Sequence, residues 1–168
     1  MTEMSAGEVT DGLREFLSRV QGMDIRCLEH TARMVDLTGL PPTHVSVSFP
    51  EEVEYGLDEA SLVCRFRVRV EFKHEEALVA EAQAEYALAN MLSPGEPPTE
   101  DVLRAYLHDN ARFIVYPYLR EAVQSSVAKI GMGNLVLGLM RRDQVTDLSI
   151  EFDLGVAPDD GPAILPED

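Results

Sequence analysis

Few residues in this sequence are spaced for chemistry, and each candidate set fails on geometry. Cys27-Leu28-Glu29-His30 sets a thiol and an imidazole three positions apart, donors that suit a transition metal. On a strand that odd spacing puts them on opposite faces, where they cannot share an ion. His44, His74 and His108 sit in unrelated segments. Gly131-Met132-Gly133 begins like a dinucleotide fingerprint, but Val136 holds the third glycine position and the pair follows a helix pattern instead of opening one. Glu51, Glu52, Glu54, Asp58 and Glu59 lack the spacing and turn glycine of a calcium loop. Ser125-Ser126 has no histidine on its helix face and no nucleophile elbow around it. No catalytic residue, metal or cofactor is predicted, so the chain reads as a non-enzyme.

Composition narrows the remaining classes. A chain of 168 residues suits one domain. Fourteen Lys and Arg against 30 Asp and Glu leave a net charge of −16. That field repels phosphate backbones and anionic membrane surfaces, so neither nucleic acid nor membrane is an expected partner. No apolar run approaches the ~20 residues of a membrane span. Met1 to Val9 carries acids and no basic cluster, unlike a leader, so a cytoplasmic protein is expected, with Cys27 and Cys64 reduced and buried. Strong acidity gives solubility, and it suits a protein that must expose apolar surface without self-association.

The elements that would carry such a surface follow from periodicity. Glu8 to Gln21 has Val9, Leu13, Phe16, Leu17 and Val20 at helical spacing, with Thr10 or Asp11 as cap and Gly22 as stop. Ile25 to Leu37 reads as a strand, ended by Gly39-Leu40-Pro41-Pro42. His44 to Phe49 alternates polar and apolar, and Pro50 to Asp58 reads as an acidic connection. Leu62 to Phe72 alternates without a break over its whole length. Lys73 to Glu76 is a polar turn, so Ala77 to Leu88 should fold back as a hairpin. Its alanines favour helix, but Leu78, Ala80, Ala82, Ala84, Tyr86 and Leu88 alternate with Glu81, Gln83 and Glu85. After a Pro-rich linker, Thr99 caps a helix to about His108, and a longer one spans Ala111 to Ile130. The predicted class is α+β: a four-stranded antiparallel sheet with two C-terminal helices packed on one face, plus a short N-terminal helix. Residues 1–22 form the N-terminal extension, 23–140 the main domain and 141–168 an acidic tail.

One segment is unusual for a simple core helix. Phe113-Ile114-Val115-Tyr116-Pro117-Tyr118-Leu119 is apolar all round, so it needs cover on several sides, inside one chain or between subunits. With Arg120 and Glu121 it resembles the hallmark of the SecB chaperone family, an apolar run into aromatic-Pro-aromatic, one residue, Arg and Glu. Leu135-Val136-Leu137 resembles that family's Leu-x-Leu element. The resemblance covers about residues 25–140 and is most specific at Tyr116 to Glu121.

The resemblance implies a holdase that works without nucleotide, a dimer of dimers, and clients bound in long apolar grooves. Carried onto this chain, the groove would use Leu37, Leu40, Val45, Val47, Phe49, Leu119, Val123, Val127 and Ile130. Subunits would meet through Val102, Leu103, Tyr106, Leu107, Phe113 and Tyr116. Aspartate at Leu40 or Val47 should then weaken client holding with the fold intact, and Tyr106→Asp should loosen assembly. Strand edges could add backbone pairing to a client. The family's export members dock the SecA motor on an acidic outer sheet face. Here Arg65, Arg67 and Arg69 occupy that face and can pair with Glu81 and Glu85. The extra N-terminal helix and acidic tail resemble relatives found beside toxin–antitoxin systems. The implied partners are therefore unfolded preproteins or a dedicated client, with weak SecA docking. The alternative is an adaptor that binds one folded protein.

Overall fold

A period of two that never slips must become a strand with one face buried, and Ser61–His74 does. In a computed structural model, which describes residues 5–50, 53–132 and 149–153, this strand is β4. Leu62, Cys64, Phe66, Val68, Val70 and Phe72 are all buried on one side of it. The other elements are α1 (Ala6–Arg19), β1 (Val20–Met34), β2 (His44–Ser48), β3 (Glu54–Leu57), β5 (Ala77–Leu92), α2 (Glu100–Tyr106), α3 (Arg112–Lys129) and β6 (Ser149–Asp153). The sheet runs β1-β5-β4-β2-β6, with β3 also on β4, and every pairing is antiparallel. The class is α+β, with the helices over one face.

The four expected strands are present, and the structure adds two. β3 lies inside the acidic stretch expected to be a plain connection, pairing Glu54↔Arg65 through Leu57↔Leu62. β6 pairs β2 along its whole length. The alanine-rich segment is a strand, as its alternation predicts. Ala80, Ala82 and Ala84 stand opposite Phe72, Val70 and Val68, so small residues face large ones. The hairpin turns on Glu75 and Glu76 alone, and Glu75 takes a left-handed φ of 53°. Its N–H donates to Thr43 Oγ1 at 2.9 Å, which helps to hold that backbone in place.

Several boundaries differ from expectation for local reasons. The cap of α1 is Ser5, whose hydroxyl accepts from the Glu8 N–H at 3.4 Å while Glu8 Oε2 accepts from the Ser5 N–H at 2.8 Å. That reciprocal pair outcompetes Thr10 and Asp11, which lie within the helix. Gly22 is not a stop, because α1 passes straight into β1 at Val20. β1 therefore begins five residues earlier than Ile25 and leaves Leu37 in the following loop. α2 and α3 are not separate helices. A π-helical segment, Leu107–Ala111, joins them without a break, so Pro117 sits deep inside a continuous helix. Cys64 is buried but Cys27 is exposed, against the expectation for both. Leu135-Val136-Leu137 and the tail after 153 lie outside the described residues. Among the described residues no helix is long and apolar enough to cross a membrane.

The core closes on a buried polar contact. Tyr106, 1% exposed, donates its hydroxyl to Asn90 Oδ1 at 2.8 Å, and Asn90 Nδ2 donates to Leu62 O at 3.3 Å. Phe16 of α1 packs edge-on against the Tyr106 ring, with centroids 5.0 Å apart. α1 approaches α2 closely because Gly12 has no side chain: a Cβ there would lie 2.7 Å from Val102 Cγ2. Removing only the hydroxyl, with Tyr106→Phe, strands the buried Asn90 oxygen. It should lower the unfolding free energy by about 1–3 kcal/mol. Urea denaturation will show a shifted midpoint with an unchanged slope, and a loss below a few tenths would refute the bond's structural role.

Candidate binding surface

The nine residues nominated for a groove fall into two groups. Val45 and Val47 are 1% exposed, and Leu119, Val123 and Val127 are equally enclosed. All five belong to the core between sheet and helix. The β2 side chains meet the same face as Val70 and Phe72, against which they are registered. In this protomer they present no surface to a client, so Val47→Asp would bury a charge and unfold the chain instead of probing a groove. Leu37 is 86% and Leu40 48% exposed, and both lie in the loop from β1 to β2. Val35, 46% exposed, joins them. The sequence reading placed it, with Leu37, in a strand expected to run on to Leu37, and did not nominate it; β1 ends at Met34. Phe49 and Ile130 are half-buried, and Phe49 leans on Tyr116 with ring centroids 6.2 Å apart.

The residues nominated for subunit contact are mostly spent inside the chain. Val102, Leu103, Tyr106 and Leu107 are buried, in the core that also takes in Phe16 of α1. Tyr116 is buried too, while Phe113 is half-buried. An aspartate at Tyr106 would therefore break the fold before it reported on assembly. The apolar face of α2 was read correctly, but α1 covers part of it. Tyr118, 47% exposed, is the open aromatic of the Phe113–Leu119 run.

Cys27 and His30 do not lie on opposite faces. β1 has a bulge: Cys27 pairs with Tyr86 and Glu29 with the adjacent Glu85, which leaves Leu28 as the extra residue. Cys27 and His30 then stand opposite Tyr86 and Ala84, on the helix side. No cluster of three or more metal donors occurs among the described residues. His30 instead ties the edge strand to α3, with Nε2 2.9 Å from Ala122 O and in contact with Ser126 Oγ. Burial, with the Cys27 thiol beside it, pushes the Tyr86 hydroxyl above its ordinary pKa.

The outer face of the sheet is a charge ladder. Arg67 stands directly opposite Glu85 and donates to it from Nε and Nη2 at 2.9 and 2.6 Å. Arg69 reaches diagonally to Glu81 at 2.7 Å and to Glu71 at 3.0 Å. Arg33 of β1 contacts Glu81 from the other side. Arg65 approaches Glu54 of β3 at only 3.9 Å. The pairing of strands β4 and β5 was legible in the alternation; the parts played by Arg33 and Glu54 were not, because they depend on which strands adjoin.

The Arg69 hydrogen bond, followed by that of Arg33, holds the Glu81 carboxyl below its ordinary pKa of 4.5. A depressed carboxylate stabilises the fold above its unfolded value, and the contribution is lost as pH falls through the folded value. Glu81→Gln should therefore cost about 0.2–1 kcal/mol at neutral pH. The gap to wild type should close at pH well below 4.5. Urea denaturation at both pH values tests this, and a gap that persists in acid would show that packing, not charge, is responsible.

No protein-family model matches the sequence, and no curated protein matches it. A solved structure does: the Mycobacterium tuberculosis Rv1957 SecB-like chaperone in complex with a ChAD peptide from the Rv1956 HigA1 antitoxin. It is 26% identical, covers 79% of this chain and 99% of that one, and superposes with a TM-score of 0.64. The antiparallel sheet, the long C-terminal helix on one face and that superposition together give this chain a SecB-like fold.

Proposed function

We propose that this protein is a nucleotide-independent holdase that binds unfolded or aggregation-prone polypeptide on apolar surface beside β2. The carrying observation is the likeness to a chaperone captured with an antitoxin peptide, over 79% of this chain. Val35, Leu37 and Leu40, exposed on one loop of an otherwise strongly acidic protein, support it. Apolar burial is non-directional, so it holds many sequences and needs no chemical energy input. A dedicated client such as an antitoxin fits this reading better than general export.

The test is suppression of light scattering from a chemically unfolded, unrelated protein, without nucleotide. Leu37→Asp with Leu40→Asp should leave the circular-dichroism spectrum native, since both side chains are exposed. Each should remove up to about 1.5 kcal/mol of client burial, or roughly tenfold in affinity. Unchanged suppression by the double variant would place client binding elsewhere. No suppression by the wild type would sink the holdase reading.

The outer face bears on export. A motor that docks on an acidic platform meets carboxylates already engaged by Arg33, Arg67 and Arg69. Binding to a SecA protein is expected to be weak. Titration calorimetry at low and high salt would contradict this by showing tight, salt-sensitive binding that Glu81→Gln with Glu85→Gln abolishes.

A further inference from the structure

β2 is short, and both of its edges are paired. On one side β4 takes it, through Val45↔Phe72 and Val47↔Val70. On the other side β6 takes it over its entire length, from His44↔Asp153 to Ser48↔Ser149. β6 comes from far along the chain, and among the described strands it pairs with β2 alone. Without β6, β2 would present a row of free N–H and C=O groups, the template on which extended segments add to sheets.

The two partners of β2 differ in how firmly they are held. β4 has 14 residues, is paired on both edges and is anchored by a fully buried face. β6 has five residues and one neighbour. A strand tied by so few bonds barely outweighs the entropy of ordering it. Of the two partners of β2 it is the one suited to exchange with a competitor of the same form.

The surroundings favour such exchange at this edge. The exposed Val35, Leu37 and Leu40 lie on the approach to β2, and half-buried Phe49 follows its last residue. A segment longer than β6, laid on β2, would run past its ends towards these side chains. The register also states what the edge accepts. Ile150 stands opposite Val47 and Phe152 opposite Val45, with Ser149, Glu151 and Asp153 between and around them.

From this pairing we infer that the outer edge of β2 is a strand-addition site, that β6 is its resident occupant, and that clients bind there by displacing β6. The inference rests on the holdase reading for the identity of the displacing segment. The accepted partner is an extended polypeptide with apolar residues at every second position, added antiparallel to β2. Backbone pairing makes the site indifferent to most sequence, while the alternate apolar positions and the flanking loop select aggregation-prone segments. β6 sets a threshold, because a segment that pairs with β2 no better than β6 does not displace it.

The test locks β6 in place. Ser48 and Ser149 stand directly opposite each other, and facing residues of antiparallel strands lie within the span of a disulfide. Ser48→Cys with Ser149→Cys is made in a Cys27→Ser background, since Cys27 is the exposed native thiol. Two readouts are taken with and without reductant, after circular dichroism has shown the same fold in both: binding of a fluorescein-labelled peptide with the sequence of 147–155, and suppression of aggregation of an unfolded model protein. The oxidised form should bind the peptide at least tenfold more weakly and lose most of its holding activity, and reductant should restore both. Equal peptide binding in the two forms would overturn exchange at this edge. Peptide exchange that responds to the lock while suppression does not would overturn the client assignment and leave the holdase reading intact. Absence of suppression in both forms would overturn the holdase reading and the client assignment with it.

Discussion

The packing of one long helix on the buried face of β4 and β5 is the interaction on which the rest depends. β4 supplies large residues to that face, and β5 supplies Ala80, Ala82 and Ala84 opposite them. Small residues on the second strand let α3 approach, and Val115, Leu119, Val123 and Val127 fill the space. Each side chain so buried contributes about 1.5–3 kcal/mol. The helix must therefore keep one stripe facing the sheet from end to end.

That requirement explains the π segment. Leu103, Leu107, Ala111, Val115 and Leu119 are buried at steps of four. In a regular helix every such step gains about 40° on the previous one, and the stripe would wind off the sheet. The wider turn at Leu107–Ala111 absorbs part of this advance and joins the stripe of α2 to that of α3. A segment read from the sequence as two helices is thus one helix with a phase correction. Tyr106 marks the same junction from the inside. Its hydroxyl, pushed up to about 12 by burial, stays protonated as the donor that Asn90 needs.

Period-two signals were the readable part of this sequence, and their failures have physical causes. β4 and β5 were legible because one buried face imposes strict alternation, which overrode the helix preference of alanine. β3 was not, because Glu54-Tyr55-Gly56-Leu57 is only four residues long, includes a glycine, and takes its place from its register on β4. The phase of β1 was misread beyond Cys27, since a single inserted residue at Leu28 reverses every later side chain. For the candidate surface, periodicity identified the apolar residues but not what covers them. Val47 and Leu40 look equally suitable in sequence. One is registered against Val70 in the core, and the other stands on a loop between a glycine and two prolines. Likewise the stripe of Val102, Leu103 and Tyr106 called for cover, and α1 supplies part of it from within the same chain.

The charge of the chain then bears on its exposed loop. Val35, Leu37 and Leu40 on a neutral protein would invite self-association. With a net charge of −16, two copies repel before those loops meet. The repulsion reaches only about 8 Å at physiological ionic strength, so it acts on approach and not on a segment already seated. A polypeptide with basic flanks feels the opposite sign: it is drawn in over the same distance and then held by apolar contact, which salt does not screen. Under the proposed holdase function, long-range charge and short-range burial would therefore separate copies of this chain from its clients, although both expose the same kind of surface.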